Sequence, residues 1–302
     1  MIERCYYLVA TTHRTGSNLL TQHLRETRIA GLPLEHFSPA HIPKIVARHG
    51  FTSPEVSLTA YIDDLKNKFS TANGVFGTKI MWPHLAAMIE QWKKDPQWET
   101  PVTDNPWEML MHFFPKAQMV WLRRDDKLRQ AISMARAKQT EIYSSVQLET
   151  GSRTVQKEPE YDFELIYDNR RRLTRSDDAW GKLFEDAGIT PFVLHYEEMC
   201  KDPRGAVSRL IKEMGFPGTP QTVEMTFPNS RISDAINDQW YEKFLSEEVV
   251  QTARLEKLRA EQRFYKYYQS KWLYNNRSFS GKFKNTLNHF LGKEPPGWKK
   301  PV

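Results

Sequence analysis

The stretch Thr12-His13-Arg14-Thr15-Gly16-Ser17-Asn18 gathers a guanidinium, hydroxyls, an amide side chain and a glycine that lets the backbone come close to a ligand. It follows a short apolar and aromatic run, Cys5-Tyr6-Tyr7-Leu8-Val9-Ala10, and leads into Ser17 to Leu24, where leucines recur at helical spacing. A strand, tight loop and helix in that order aim free helix N–H groups and the positive end of the helix dipole beyond the strand. The loop therefore reads as a phosphate cradle, with Arg14, Thr15, Gly16, Ser17 and Asn18 as its donors. The plainer alternative is that Arg14 caps a surface turn and Ser17 is an ordinary N-cap. It is not the ATP-binding loop, which requires a lysine directly after the glycine where this chain has Ser17.

Further elements must bring other groups to the same edge. Val75 to Ile80 reads as a second strand followed by helix from Trp82 to Lys94, so Lys79 and Trp82 reach the edge that the loop occupies. Trp82 offers a face for a sugar or an adenine, or simply a place in the core. A third strand, Ala117 to Leu122, runs through Arg123-Arg124-Asp125-Asp126 into helix from about Lys127 to Ile142. A fourth, Phe192 to Tyr196, precedes helix from Pro203 to Met214. Strands separated by helices predict an α/β, P-loop-like three-layer fold, a central and mainly parallel sheet flanked by helices. Ligands of such sheets collect at the carboxyl ends of the strands. Tyr241 to Leu273 reads as long helix, giving a helical C-terminal region; Gly151 to Tyr161 reads as a polar connector. Residues 1–274 are expected to form a single domain and 275–302 a basic tail.

Composition narrows the function. With 39% hydrophobic and 12% aromatic residues the chain is globular, and no apolar run is long enough for a transmembrane segment. Of the net charge of +6, residues 275–302 carry +5, leaving a nearly neutral body; this excludes a duplex-binding surface, and no nucleic acid partner is expected. The start Met1-Ile2-Glu3-Arg4-Cys5 lacks the order of a secretory signal, and Cys5 and Cys200 have no CxxC spacing, so the cytoplasm is the expected location. The histidines show no HExxH or close paired spacing, and no metal is expected.

A basic residue, Ser or Thr, Gly, then Ser or Thr after the first strand resembles the phosphosulfate-binding loop of sulfotransferases that use PAPS (3′-phosphoadenosine 5′-phosphosulfate). Gly31-Leu32-Pro33-Leu34-Glu35-His36-Phe37, Val75 to Trp82, and Trp121 to Asp126 with Gln130-Ala131-Ile132-Ser133 follow in the order the family requires, and resemble its bacterial trehalose 2-sulfotransferase branch. Tyr196 to Pro203 is similar to a segment common across sulfotransferases. The resemblance implies sulfuryl transfer from PAPS to a hydroxyl of a small, carbohydrate-like acceptor, leaving adenosine 3′,5′-bisphosphate. It implies that Arg14 stabilises charge on the leaving phosphate, that Arg124 and Ser133 hold the 3′-phosphate with Arg123 as a competitor, and that Arg231 returns a donor to the nucleotide. The arginine not used is expected to pair with Asp125 or Asp126. Glu35 matches the family's base, with Leu32, Leu34 and Phe37 as an apolar setting; His36 is the other candidate. Glu35, His36, Phe37, Lys79 and Trp82 are the expected acceptor contacts, in a pocket drawn from segments 35–75 and 140–165. The aromatic run Phe264 to Tyr268 suits a homodimer face or core. Two other readings stay open: an ATP-dependent small-molecule kinase, with Asp125 or Asp126 on magnesium, and a nucleotide-binding protein without catalysis.

Overall fold

A computed structural model describes residues 4–96, 105–143, 158–220 and 235–275. Along the chain run β1 (Cys5–Thr11), α1 (Ser17–Glu26), α2 (Ile42–His49), α3 (Leu58–Phe69), β2 (Val75–Met81), α4 (Trp82–Trp92) and α5 (Pro106–Phe113). They are followed by β3 (Gln118–Arg123), α6 (Lys127–Thr140), α7 (Phe163–Asp186), β4 (Phe192–His195), α8 (Tyr196–Lys201), α9 (Pro203–Met214) and α10 (Ala235–Asn275). The strands pair in the order β2-β1-β3-β4, every pair parallel.

Strand alternation explains the three layers. Tyr7 and Val9 of β1 face a core shared with Leu20 and Leu24 of α1 and with Val207 and Leu210 of α9. Leu8 and Ala10 face the opposite core, built with Ile62 and Leu65 of α3, Leu85 and Met88 of α4, and Trp180 and Phe184 of α7. β1 is covered on both sides, which is why its sequence is an unbroken apolar run rather than an alternating one.

The expected α/β sheet is therefore present, with strand ends shifted by a residue. The chain leaves β1 for β2 on one side and then crosses to β3 on the other, so β1 and β3 flank the switch point where such sheets bind ligands. Helices α2, α3 and α7 supply structure where the pocket segments gave no pattern. Of the connector Gly151 to Tyr161, residues 151–157 lie outside the described residues, as do Arg231, the side chains of Phe264, Tyr265, Tyr267 and Tyr268, and the tail beyond Asn275.

The chain divides into two compact units, Met1–Lys243 and Phe244–Val302. The boundary expected at 274/275 falls within the second. Among the described residues no helix is long and apolar enough to cross a membrane.

Candidate active site

The loop after β1 is held from beneath. Trp180 of α7 donates its indole N–H to the Thr11 carbonyl at 3.0 Å. Gln130 of α6 donates Nε2 to Thr12 Oγ1 at 2.9 Å and to the His13 carbonyl at 2.6 Å. Thr11 Oγ1 reaches across the switch point to the Leu122 carbonyl at 2.8 Å. Arg14 (φ 65°) and Gly16 (φ 74°) both take the left-handed conformation to turn the chain into α1. A Cβ on Gly16 would stand 2.7 Å from the Tyr196 ring, so the close approach and the positive φ both require glycine.

Gly16 itself is the N-cap of α1, without a side-chain cap, and the first intrahelical bond runs from Leu20 N to Gly16 O. The amides of Ser17, Asn18 and Leu19 thus have no acceptor within the helix, and an anion suits them. Ser17 is not the cap that the plainer reading made it. Thr15 faces inward: its hydroxyl is 2.6 Å from Thr11 Oγ1 and donates to the Thr12 carbonyl at 2.9 Å, so only its backbone is left for a ligand.

Arg14 donates Nε to Ser133 Oγ at 2.9 Å and a second nitrogen to the Tyr143 carbonyl. Arg124 donates Nη1 to the Arg14 carbonyl at 3.2 Å, and its guanidinium lies 4.3 Å over the Tyr196 ring. Burial first, and Arg124 second, pull the Arg14 pKa down. Two guanidiniums lie side by side with no carboxylate paired to either among the described residues, and Arg124 Nε is buried without a partner. That donor set fits a phosphate. Ser133, expected to pair with Arg124, is instead joined to it through Arg14.

Arg123 points elsewhere. It pairs with buried Asp177 at 3.0 Å and lies 4.2 Å over Trp121, while Lys127 and the Trp121 indole take the remaining capacity of the same carboxylate. The expected pairing with Asp125 or Asp126 is corrected: Asp125 binds His195 at 2.9 Å and Asp126 caps α6 through the Arg129 amide at 2.8 Å. Both carboxylates thus have partners within the chain other than Arg123 and Arg124.

The second half of the site comes from residues 31–37 running alongside β2. Gly31 (φ 67°) lies so close that a Cβ would sit 2.9 Å from the Gly77 nitrogen. Lys79 N donates to the Leu34 carbonyl at 3.0 Å, which seats Glu35 beside the Lys79 side chain. Lys79, only 3% exposed, directs Nζ to Asn18 Oδ1, to Ser17 Oγ at 3.3 Å and to Glu35 Oε2 at 3.3 Å. Burial lowers the Lys79 pKa, and Glu35 pulls it partly back. The lysine that the loop sequence lacks is thus delivered from the neighbouring strand. Glu35 Oε1 faces His84 Nδ1 at 3.6 Å, and His13 completes the group; the setting is ionic, not the apolar one expected. Burial lowers the pKa of both His13 and His84.

His36 and Phe37 do not reach the site. His36 is fully buried between Phe69 and Phe76, its Nδ1 2.9 Å from Thr78 Oγ1, and burial holds its pKa at about 3, far too low for a base near neutrality. Phe37 is 2% exposed and packs edge-on against Tyr61 and Phe114. Trp82 begins α4, partly buried, its ring 5.1 Å from Trp180. His13, His84 and Gln130 had no role assigned from sequence. His84 could have been found by the edge logic used for Lys79 and Trp82, because it lies in the first turn of α4.

A parallel sheet with an anion loop at its switch point, paired arginines beside the loop and a lysine-bound carboxylate defines a group-transfer site for an anionic donor. The Stf0 sulphotransferase family model matches residues 6–247, and the chain belongs to that family of sulfotransferases. It is similar to trehalose 2-sulfotransferase of Mycobacterium tuberculosis (strain ATCC 35801 / TMC 107 / Erdman), 23% identical over 267 residues, covering 80% of this chain and 94% of that one. Trehalose 2-sulfotransferase of Mycolicibacterium smegmatis (strain ATCC 700084 / mc(2)155) is 23% identical over 260 residues, covering 79% and 93%. Among solved structures, a sulfotransferase from Alicyclobacillus acidocaldarius matches at TM-score 0.38 and 15% identity, covering 85% of this chain and 96% of that one. Sulfotransferase STF9 from Mycobacterium avium matches at TM-score 0.39 and 14% identity, covering 82% and 69%.

Proposed function

We propose that the chain transfers a sulfuryl group from PAPS to a hydroxyl of a carbohydrate acceptor. The observation that carries this reading is the Lys79 ammonium, shared between Ser17 and Asn18 of the anion loop and the Glu35 carboxylate. It sets a proton acceptor one side chain away from the anion site. When bound, the donor supplies an activated sulfuryl group on a phosphate leaving group. Such a transfer, like loose phosphoryl transfer, asks the protein mainly for positioning and charge stabilisation.

The uncapped start of α1 and Lys79 suit the phosphosulfate. Arg14, Arg124 and Ser133 suit the 3′-phosphate, where a planar guanidinium fork donates two bonds at once. Arg14 is thereby assigned to the 3′-phosphate side, because its Nε is committed to Ser133, and Lys79 takes the role of charge stabiliser. Glu35 accepts the hydroxyl proton, with Lys79 holding its other oxygen. The mycobacterial relatives, named for trehalose, support a sugar as acceptor. Cys5 and Cys200 form no disulfide, which suits a reducing cytoplasm.

Calorimetric titration with adenosine 3′,5′-bisphosphate and, separately, with ATP and magnesium tests the donor. Binding of ATP without binding of the bisphosphate refutes the reading. Transfer to trehalose and other sugars is then assayed with the parent and with Glu35→Gln. Unchanged turnover in Glu35→Gln removes Glu35 as the base, and bisphosphate binding without any turnover favours a protein that binds nucleotide and does no chemistry.

A further inference from the structure

We propose that His13, Glu35 and His84 form a site for one divalent transition-metal ion of the zinc type. Each residue comes from a different element: His13 from the loop after β1, Glu35 from the segment beside β2, and His84 from the first turn of α4. One ligand atom from each lies within 4.8 Å of the others. No spacing in the sequence announces the group, because only the fold assembles it.

The orientation of the carboxylate is the first support. Lys79 holds Oε2 at 3.3 Å, which leaves Oε1 turned to the histidines. The second is His84, 8% exposed, whose buried Nδ1 has no hydrogen-bond partner. It stands 3.6 Å from Glu35 Oε1, too far for a hydrogen bond. A tetrahedral zinc ion with bonds of about 2.0–2.1 Å separates its ligands by roughly 3.3 Å, so this gap is close to the spacing of two atoms sharing an ion. The His13 and His84 rings are 6.0 Å apart and nearly perpendicular, so an ion would have to draw in ligand atoms that now lie within 4.8 Å of one another.

Two imidazole nitrogens and one carboxylate oxygen favour zinc, cobalt(II) or nickel(II) over magnesium and calcium, which prefer oxygen ligands throughout. Among the described residues no fourth ligand joins the three. Lys79, a cation 3.3 Å from the same carboxylate, keeps the affinity below that of closed four-ligand structural sites. A bound ion occupies Glu35 Oε1 and blocks proton transfer to it, so zinc inhibits the enzyme; this consequence rests on the reading of Glu35 as the base.

The full chain, stripped with a chelator, is titrated with zinc by calorimetry and with cobalt(II) by visible absorption. One ion per chain is expected, with the strong cobalt bands of a tetrahedral site. His13→Gln and His84→Gln each weaken binding by roughly tenfold or more, the loss of one coordinate bond, while Cys5→Ser and Cys200→Ser leave it unchanged. Absence of stoichiometric binding overturns the proposal, as does binding that survives both histidine substitutions. The cobalt spectrum of the parent needs no variant, so a misfolded His84→Gln protein does not blunt the test. Stoichiometric zinc with full sulfuryl transfer would keep the metal site and overturn Glu35 as the base; failure to bind zinc in an enzyme that Glu35→Gln inactivates would do the reverse.

Discussion

Replacing Lys79 by methionine removes one charge while keeping most of the apolar stem. At 3.3 Å the attraction between Lys79 and Glu35 is gross about 5 kcal/mol at an effective dielectric near 20. Burial nevertheless lowers the Lys79 pKa, so desolvation outweighs that attraction and the charged form opposes folding. The ammonium is held where folding alone would not keep it, beside the start of α1. Loss of one preorganised donor at developing charge lowers kcat by roughly 10²–10³. Lys79→Met is therefore expected to lose kcat by that factor, with a much smaller change in the acceptor KM, in an assay following labelled sulfuryl transfer. The double variant Lys79→Met, Glu35→Leu is expected to melt at or above the parent, since replacing both members of a buried ion pair by apolar side chains of similar volume is often neutral or stabilising by about 1–4 kcal/mol. A single variant with kcat within roughly threefold of the parent, less than 1 kcal/mol of barrier, refutes Lys79 as charge stabiliser. A double variant that melts well below the parent refutes the energetic reasoning.

Gly16→Ala forces a Cβ to 2.7 Å from the Tyr196 ring at φ 74°; calorimetry should show loss of bisphosphate binding with a folded protein by circular dichroism. Arg14→Ala and Arg124→Ala should each weaken bisphosphate binding by roughly tenfold or more, as expected of charged hydrogen bonds worth about 1.5–3 kcal/mol. Arg123→Ala, whose partner is buried Asp177, should lower the melting temperature and leave that affinity nearly intact. His36 is depressed to about 3 in the folded state, so the unfolded chain takes up its proton first as the pH drops. Stability is then complete above about 6.5 and falls with acidification by up to about 1.4 kcal/mol per pH unit down to the folded pKa. Denaturation midpoints at pH 7 and pH 5 should differ less in His36→Gln than in the parent.

The strands were legible because burial on both faces makes them short apolar runs, and helix α9 was found at its full extent, Pro203–Met214. Helix α7 was missed although it is the longest in the first unit. Arg171 and Arg172 are exposed, and its inner face includes buried Asn169 and Asp177, so the apolar stripe is broken by the groups that anchor Lys138 and Arg123. Within the site, Arg14, Lys79 and Glu35 were reachable from edge logic and resemblance. The neighbours His36 and Arg123 were not, because adjacent residues in extended chain face opposite ways. Whether the inward one meets Phe69 and Phe76, or an aspartate 54 positions away, depends on packing no local window contains.

Gln130 and Trp180 give the anion loop a single electrical sign. The carbonyls of Thr11, Thr12 and His13 are each occupied from beneath, by the Trp180 indole, the Thr15 hydroxyl and the Gln130 amide. Their negative ends are sheathed before any ligand arrives. A ligand at the mouth would meet amide hydrogens and the Arg14 and Lys79 side chains, with these three acceptors withdrawn. That polarity is set in part by helices α6 and α7, whose side chains act from behind the loop.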